Sequence, residues 1–578
     1  MGIVKIREMM YLCNPKMNVM ARLKYNFTWK KYHRWFGLVL SVFMLVFCVS
    51  GIILNHREAF SGCEVSRKWL PASYHIKNFN NGVVKGTVVK NSGSLAISEG
   101  FSDSILVYGC AGVFLTDYQL STWQDFNAGL PKSIDERNVR HLVQARDGSL
   151  WCAALRDVYR YDENAQQWKK VELSGDEERI MDVALAKDSM TVVALTRSRV
   201  FTIVPFVQYG EIVKIGKSSS ETYRVESKII PAPKNYEPKT TLFKLVWHLH
   251  SGEFFGLPGK LVVDAIALVL IVLSITGILL FILPYGIRRA KKVKSEERRV
   301  KNSLAAKNRM KRLGKLFAWN MKWHNKIGYV TIVLTLWIAI TGMCLRPPLM
   351  VPLVLSKLPQ AVGEDGNVWQ DKLRAIRWDA VQGDWLVSTS EGFLRVDEDF
   401  SQAPKMLPDD ECPKLSPMGV TVWESDGKGG WIVGSFRGIY RWNPVNHKSQ
   451  ILDYFTNEPC VETSMIPISD NLICGYSEDL FDREPMVFDF AKGVEDAKGQ
   501  VINILDEKDA MSDLICETAP MSLWNVALEL HVGRCYSPFL GPLSDLFVFL
   551  SGLLITLVLL SGYIISHLGR KKAQARLK

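Results

Sequence analysis

The sequence predicts a multi-pass membrane protein in which four spanning helices carry two large all-β insertions. Its 578 residues are 48% hydrophobic, yet the mean hydropathy is only +0.03. That balance is too polar for a chain that lies wholly in a membrane. Four windows nevertheless carry apolar runs near the ~20 residues that cross a bilayer. They are residues 35–55, 261–285, 326–346 and 543–566.

Basic residues predict the side of the membrane on which each polar segment lies. The net charge of +12 is uneven, with basic runs before the first window, between the second and third, and after the fourth. Because cytoplasmic loops carry an excess of Lys and Arg, these runs are expected in the cytoplasm of a bacterium, and both insertions in its periplasm. A basic run between two spans is explained by contact with the lipid bilayer, so no nucleic-acid partner is expected. The first window is too long for a signal peptide core and is expected to remain as an inner-membrane anchor.

These boundaries divide the chain into nine predicted segments. They are the cytoplasmic N-terminus 1–32, span one 33–56, β insertion one 57–245, span two with its histidine-bearing approach 246–285, the basic cytoplasmic loop 286–323, span three 324–346, β insertion two 347–528, span four with its approach 529–567 and the cytoplasmic tail 568–578. The loop of about 40 residues is shorter than a typical folded domain, so no kinase or DNA-binding domain is expected there.

A tandem duplication relates the two membrane halves. His33 lies 18 residues before Gly51, and His324 lies 18 residues before Gly342. The motifs LHSGEFFGLPG and LHVGRCYSPFLG precede spans two and four. All four spans also carry a Ser-Gly or Thr-Gly step, at residues 50–51, 276–277, 341–342 and 561–562. Small residues allow close approach of helices or of a flat cofactor, and helix packing alone is the favoured explanation.

A second repeat lies within the insertions and predicts their fold. Three stretches share Gly, Trp, a short strand, a turn and a second strand: GSLWCAALRDVYRYD, GDWLVSTSEGFLRVD and GGWIVGSFRGIYRWN. Gly392 and Gly438, at equivalent turns, are 46 residues apart, a spacing typical of propeller blades. About three such units fall in each insertion, so we predict one β-propeller assembled from both, since open blades would expose strand edges. Two separate small β domains are the alternative.

The cysteines indicate an oxidising compartment rather than a metal centre. No CxxC or Cys–His spacing typical of a zinc or iron–sulfur site occurs in the chain. Disulfides are permitted in the periplasm, and Cys412 with Cys460 is one conceivable pair. Eight cysteines lie in or beside the insertions: Cys63, Cys110, Cys152, Cys412, Cys460, Cys474, Cys516 and Cys535.

The histidines predict a cofactor. Seven of the ten lie in or beside a span, where an ionisable residue indicates function. His33 and His324 begin spans one and three on the cytoplasmic side, and His250 and His531 precede spans two and four on the outer side. Imidazole pairs across a helical bundle hold haem b in proteins without a CxxCH attachment motif, and this chain has none. We therefore predict two haem b groups, one near each face, with these four residues as axial ligands.

Three further histidines near the spans, His56, His248 and His567, are reserve ligand candidates. The second copy has Pro347 at the position equivalent to His56, so His56 lies outside the shared pattern. The remaining three are expected to be ordinary residues of the β part: His75, His141 and His447.

The stretches KYHRWFGLVLSVFMLVFCVSGIIL and LHSGEFFGLPGKLVVDAIALVLIVLSITGILLF resemble the PepSY-associated transmembrane family. This family includes iron-regulated inner-membrane proteins and ferric-siderophore reductases of bacteria. The resemblance covers the four spans in both copies. It implies a haem-bearing bundle that passes electrons outward to a periplasmic ferric chelate or siderophore, with His33, His250, His324 and His531 as ligands. The insertions differ from the small PepSY module usual in such proteins.

Two functions remain open at this point. The first is a haem-dependent oxidoreductase that reduces periplasmic ferric iron, because Fe(II) is a weaker Lewis acid than Fe(III) and is held less tightly by its chelator. The chain has no flavin or nicotinamide motif, so a separate cytoplasmic or quinol donor is required. The second is a propeller-type ligand sensor or scaffold without redox activity. Carboxylates suited to proton transport are nearly absent from the spans, which disfavours a transporter.

Overall fold

The chain folds as two compact units. The helical unit lies within Met1–Phe60, Lys239–Pro359 and Trp524–Lys578, and the β unit lies within Ser61–Pro238 and Gln360–Leu523. The computed structural model describes residues 17–90, 104–173, 178–205, 207–208, 211–212, 223–297, 304–363, 365–416, 418–444, 451–460, 471–502, 515 and 519–577.

Long helices dominate the helical unit. Three apolar segments are long enough to cross a membrane, Trp29–Asn55, Glu253–Arg289 and Arg534–Lys571, and they correspond to predicted spans one, two and four. The helices of the described residues are α1 (Met17–Asn55), α2 (Arg57–Phe60), α3 (Leu242–Ser251), α4 (Gly256–Glu297), α5 (Leu304–Val330), α6 (Ile332–Cys344), α7 (Met350–Leu355), α8 (Leu523–Val532), α9 (Ser537–Leu540) and α10 (Ser544–Leu577).

Predicted span three is broken into two helices. Helices α5 and α6 meet at Thr331 with a bend of 68°, whereas the apolar window over 324–346 predicts one continuous helix. The hydroxyls of Thr331 and Thr335 donate to the carbonyl oxygens of Ile327 and Thr331, four residues earlier, at 2.9 and 3.1 Å. Such threonine bonds are often found where helices bend. The described helices therefore supply three spans, or four if this bent pair crosses as one.

The membrane segments contact one another in cyclic order. Helix α1 packs against α4 and α10, and the bent pair α5 and α6 also packs against α4 and α10. Spans one and three are therefore diagonal to each other, as are spans two and four. Large apolar side chains such as Val39, Leu268 and Leu557 remain exposed on this unit, as expected where a helix faces lipid.

Most of the short strands belong to the β unit. The strands Lys239–Thr241 and Lys357–Pro359 belong to the helical unit. In the described part of the first insertion the strands are β1 (Glu64–Val65), β2 (Gly86–Val89), β3 (Ile105–Gly109), β4 (Gly112–Thr116), β5 (Trp123–Asp125), β6 (His141–Gln144), β7 (Leu150–Ala153), β8 (Val158–Asp162), β9 (Gln167–Val171), β10 (Ile180–Leu185), β11 (Val192–Thr196), β12 (Val200–Pro205), β13 (Val207–Gln208), β14 (Glu211–Ile212), β15 (Tyr223–Lys228) and β16 (Lys239–Thr241). In the second they are β17 (Lys357–Pro359), β18 (Leu373–Asp379), β19 (Asp384–Thr389), β20 (Gly392–Val396), β21 (Lys405–Met406), β22 (Val422–Ser425), β23 (Trp431–Ser435), β24 (Gly438–Trp442), β25 (Ile451–Asp453), β26 (Ile473–Ser477), β27 (Met486–Asp489), β28 (Gly493–Glu495) and β29 (Met521–Ser522).

Six antiparallel sheets of three or four strands lie within the described β unit, three in each insertion. Each repeated sequence stretch forms a hairpin, because β7 pairs with β8, β19 with β20, and β23 with β24. The hairpins indicated by the sequence repeat are therefore present. The sheets are β2–β5, β6–β9, β10–β12 with β15, β18–β21, β22–β25 and β26–β28.

The first strands of successive sheets lie against one another. Strand β2 contacts β6, β6 contacts β10, β10 contacts β18, and β22 contacts β26. Between β18 and β22, Arg377 donates from Nε to the carbonyl oxygen of Trp423 at 2.9 Å. The last sheet returns to the first, since β26 contacts β2 and Thr87 donates to Asp479 at 2.6 Å. Both junctions between the insertions, β10 with β18 and β26 with β2, are thus formed by direct contact.

A buried ion pair lies at one of these junctions. Arg377 Nη1 donates to Asp182 Oδ2 at 2.6 Å, and the Ile376 N–H donates to the same oxygen at 2.9 Å. Burial by itself raises the pKa of Asp182, but the Arg377 charge and the His141 hydrogen bond outweigh burial and hold this pKa below its ordinary value. The stabilisation from this pair is therefore complete above the ordinary aspartate pKa of about 4. It is lost as the pH falls below that value through the lowered pKa.

Replacing Asp182 by alanine should destabilise the β unit by about 3–5 kcal/mol, because Arg377 keeps its charge in a buried position without a partner. Urea unfolding of the full-length protein, followed by tryptophan fluorescence, measures this change. Asp365→Ala is the matched control, since Asp365 pairs with Arg199 at 2.8 Å at the surface and its loss should cost about 0–1 kcal/mol. Equal effects of the two substitutions would contradict a structural role for the buried pair.

Candidate functional site

Four histidines of the helical unit meet in two pairs. The ring centroids of His33 and His324 are 6.4 Å apart, and those of His250 and His531 are 6.1 Å apart. All four side chains are half-buried. The structure thus brings together the two pairs that the tandem repeat predicts, while their role as haem ligands stays a prediction.

The local fold explains where each histidine stands. His33 lies on α1 and His324 on α5, which are diagonal helices of the unit. His250 and His531 each lie in the last turn of a short approach helix, α3 or α8, one residue before its end, and a glycine follows two residues after the histidine. Gly252 has φ 79° and Gly533 has φ 86°, in the left-handed region that favours glycine and commonly ends a helix. The Leu-His-x-Gly motif of both copies is therefore the C-terminal turn of a helix, with the histidine in that turn and the glycine directly after the helix.

One Ser-Gly or Thr-Gly step supports each histidine. The hydroxyl oxygen lies within hydrogen-bond distance of the ring Nδ1 in all four cases. The supporting step always belongs to a different span from that of the histidine it holds. The pairs are His33 with Ser561 at 2.9 Å, His250 with Thr341 at 3.0 Å, His324 with Thr276 at 2.8 Å and His531 with Ser50 at 2.9 Å.

These hydroxyls determine which ring nitrogen carries the hydrogen. Each hydroxyl donates its single hydrogen to a carbonyl oxygen in the preceding turn of its own helix, at 2.6 to 2.8 Å. It must therefore accept from the histidine, so Nδ1 is protonated and Nε2 has a free lone pair. Among the described residues, none forms a hydrogen bond with Nε2 of these four histidines. Each pair thus presents two metal-binding nitrogens in the neutral tautomer that a metal requires.

The glycine of each step leaves room for the supported ring. A Cβ atom added at the glycine would meet the histidine Cε1 at 2.8 Å for Gly342, 2.9 Å for Gly562, 3.3 Å for Gly51 and 3.6 Å for Gly277. In each step the hydroxyl therefore bonds the imidazole, and the glycine lets the edge of that ring lie close to the helix.

The two pairs are separate sites. His33 and Ser50 both lie on the continuous helix α1, and Ser50 holds His531 of the other pair. Seventeen residues separate them, which corresponds to about 25 Å at ~1.5 Å per residue. One planar cofactor cannot bind to both pairs.

The donor set fits haem iron. Two imidazoles that bind one iron from opposite sides place their ring centroids about 6 Å apart, since a metal–imidazole bond is about 2 Å long. A porphyrin supplies four ligands to iron, so two axial histidines complete the coordination. A protein-bound metal without porphyrin needs a larger donor set, and no cluster of three or more His, Cys, Asp or Glu suited to a metal is found within the described residues.

The reserve histidines lie outside both pairs. His56 Nε2 lies 2.6 Å from Oδ2 of Asp264, so that nitrogen is already engaged. The ring of His567 stacks on Tyr563 at 5.9 Å. His248 lies on α3, with its ring 5.4 Å from that of the preceding Trp247.

The β-unit residues singled out by sequence have mixed outcomes. His75 bonds to the carbonyl oxygen of Leu70 at 3.0 Å, as an ordinary loop residue does. His141 contacts both Asp182 and Arg377, so it is part of a buried charged cluster and not the ordinary surface or turn residue that the sequence predicted. Cys412 and Cys460 are not joined by a disulfide. His447 and Cys516 lie outside the described residues.

Sequence reasoning missed the role of the four hydroxyls. The Ser-Gly and Thr-Gly steps were explained by helix packing, whereas every one of them bonds a histidine. Each span has one such step, and the four steps equal the paired histidines in number. This equality was the signal in the sequence that each step could support one histidine.

The protein is a multi-pass membrane protein built from two similar halves. Its apolar spans, its repeated histidines with their hydroxyl partners and its separate β unit define this class. The family described as the PepSY-associated TM region matches residues 19–283 and again 291–570. The chain belongs to this family, which confirms the resemblance found in the sequence. Each half matches separately, as the tandem repeat leads one to expect.

Similarities to other proteins are distant. No curated protein matches the chain. The extracellular domain of BT4673 from B. thetaiotaomicron, described as a hybrid two-component system, is 10% identical over 71% of this chain and 32% of its own, with a TM-score of 0.31. A second structure of that domain, described as a one-component system, is 9% identical over 73% and 39%, with a TM-score of 0.29. A chain of the yeast Nup82–Nup159–Nup116 nucleoporin complex is 10% identical over 72% and 94%, with a TM-score of 0.24. The chain spans only about a third of the first two proteins, and similarities this weak support no functional conclusion.

Proposed function

We propose that this protein is a haem b oxidoreductase of the bacterial inner membrane that transfers electrons to a periplasmic ferric chelate, such as a ferric siderophore. The observation that carries the proposal is the hydrogen bonding of the four histidines. Each Nδ1 hydrogen is committed to a hydroxyl, so Nε2 keeps its lone pair on every ring of the two neighbouring pairs. Bound haem would supply one-electron chemistry.

In this proposal each histidine pair has its own place in electron transfer. His33 and His324 hold the haem nearer the cytoplasmic basic segments, and His250 and His531 hold the haem nearer the outer face. The hydroxyl bonds keep each imidazole in one orientation and increase its basicity as a ligand. A cytoplasmic or quinol donor loses one electron at the inner side, and Fe(III) gains one electron at the outer side to become Fe(II). The chelator then holds the metal less tightly.

The proposed orientation places both termini and the basic loop in the cytoplasm and both insertions in the periplasm. We further propose that the six sheets form one propeller assembled from both insertions. The contacts of β26 with β2 and of β10 with β18 support this arrangement. The segments 61–238 and 360–523, produced as two soluble chains, should then co-purify in equal amounts. Two stable monomers that ignore each other would favour separate β domains instead.

Optical spectroscopy tests the redox function. Protein purified in detergent after expression with added haem precursor should contain two haem b groups per chain, measured by pyridine haemochrome absorbance. Its Soret band should shift on reduction with dithionite and return when ferric citrate is added under anaerobic conditions. Protein that contains no haem would contradict the proposal and favour a ligand sensor or scaffold. Haem that is reduced but never reoxidised by ferric chelates would exclude this class of acceptor.

A further inference from the structure

The first strands of five sheets line one cavity in the β unit. Its volume is about 530 Å³, within the ~300–1,000 Å³ typical of small-molecule sites. The walls come from β2, β6, β10, β18 and β22 and from turns that follow β10 and β18, with Tyr108 of β3 and Trp431 of β23 added. Residues from both insertions therefore contribute to this cavity.

The only arginine that lines the described cavity is already neutralised. Arg377 donates from Nη1 to Asp182 at 2.6 Å, from Nε to the Trp423 carbonyl oxygen at 2.9 Å and from Nη2 to His141 Nε2 at 3.3 Å. His141 Nδ1 donates to the carbonyl oxygen of Val183 at 2.6 Å, so its Nε2 is the acceptor of the Arg377 bond. With a further bond from Nη1 to the Ile376 carbonyl oxygen at 2.7 Å, four of the five guanidinium N–H donors are used within the protein, and the Asp182 carboxylate offsets the Arg377 charge.

Glu424 supplies an exposed carboxylate to the cavity wall. Glu424 Oε1 lies 3.8 Å from His141 Nε2, and 43% of the Glu424 side chain is exposed. Among the described residues, none donates a hydrogen bond to this carboxylate. Lys187 also lines the cavity, but its side chain is 66% exposed and its Nζ lies 3.8 Å from Glu398. Burial, followed by the charge of Glu424, raises the pKa of Tyr108 well above its ordinary value.

Aromatic rings form much of the remaining wall. Tyr108, Trp378, Trp423 and Trp431 all line the cavity, and Trp378 and Trp431 are only half-buried. The faces of tryptophan and tyrosine rings attract cations. The indole N–H of Trp423 is buried and has no acceptor within the described part of the chain, although a buried indole N–H usually finds one.

We propose that this cavity binds a small organic cation, an amine with an aromatic body. Its ammonium group pairs with Glu424, and its ring packs on Trp378 and Trp431. This site is independent of haem binding, because every group in it belongs to the β unit.

Calorimetric titration of the full-length protein in detergent tests the proposal with two matched probes. Tyramine and 3-(4-hydroxyphenyl)propionate share the hydroxyphenyl body but carry opposite charges. Tyramine should bind and the propionate should not. Glu424→Gln should weaken tyramine binding about tenfold or more, as expected for the loss of a charged hydrogen bond. Glu226→Gln, on the outer strand β15, should leave it unchanged.

Tighter binding of the propionate than of tyramine, or equal tyramine affinity in the Glu424→Gln protein and the wild type, would overturn the proposal. Trp431→Ala serves as a second variant if Glu424→Gln fails to fold, and it should also weaken tyramine binding. An unchanged affinity in that variant would equally contradict the site. Haem absorbance measured in the same samples reports the redox centre separately.

Discussion

Replacing His250 or His531 by alanine should remove or perturb the outer of the two haem groups in the purified protein. One of its two axial ligands is lost, and a haem held by a single histidine has a vacant coordination position and a different spectrum. His33→Ala or His324→Ala should also remove or perturb one haem, but the other one. Pyridine haemochrome absorbance and reduced-minus-oxidised spectra measure the change. Ferric reduction should be lost more completely in the His250 and His531 variants than in the His33 and His324 variants, because the outer site delivers the electron.

Double variants test the pairing itself. His250→Ala combined with His531→Ala should lose no more haem than either single change, because both residues serve one site. His250→Ala combined with His33→Ala should lose both haems. His567→Ala is the matched control, since this residue lies near the same spans but stacks on Tyr563, and it should retain two haems. Full haem content in all four single variants would refute the assignment and the redox function with it.

Gly342→Ala should displace His250 and reduce occupancy of the outer haem site at least severalfold. The added methyl group would lie 2.8 Å from His250 Cε1, so the ring has to move away from Thr341. Alanine favours a helix over glycine by about 1 kcal/mol, and the substitution should therefore not unfold α6. Haem content and the position of the Soret band measure the effect.

Gly277→Ala provides the comparison for this prediction. Its methyl group would lie 3.6 Å from His324 Cε1, an ordinary contact distance, and both haems should be retained. Gly562→Ala should behave like Gly342→Ala, with a contact of 2.9 Å to His33, and Gly51→Ala should be intermediate at 3.3 Å. Haem loss that does not follow this order would show that the glycines serve helix packing alone.

Much of the architecture was predictable because it repeats. Two copies of one unit place equivalent residues at equivalent depths, so His33 and His324, or His250 and His531, were expected at the same face. The hairpins of the β unit were also predictable, since each carries the same Gly and Trp pattern at a regular spacing. Membrane passage followed from the length of the apolar runs.

The supports of the histidines depended on tertiary structure. His33 is held by span four and His324 by span two, and a sequence does not specify which helices are neighbours. The bend at Thr331 was equally hidden, because a threonine hydroxyl bonds its own helix only when packing selects that rotamer.

The sequence by itself therefore determined the repeat, the apolar segments and the four repeated histidines, since these depend on composition and periodicity along the chain. Tertiary structure alone decided which hydroxyl orients each imidazole and which carboxylate neutralises Arg377. Asp182 and Arg377 are 195 residues apart in the chain and meet at 2.6 Å. Such contacts arise from the packing of whole elements, and no local pattern in either segment encodes them.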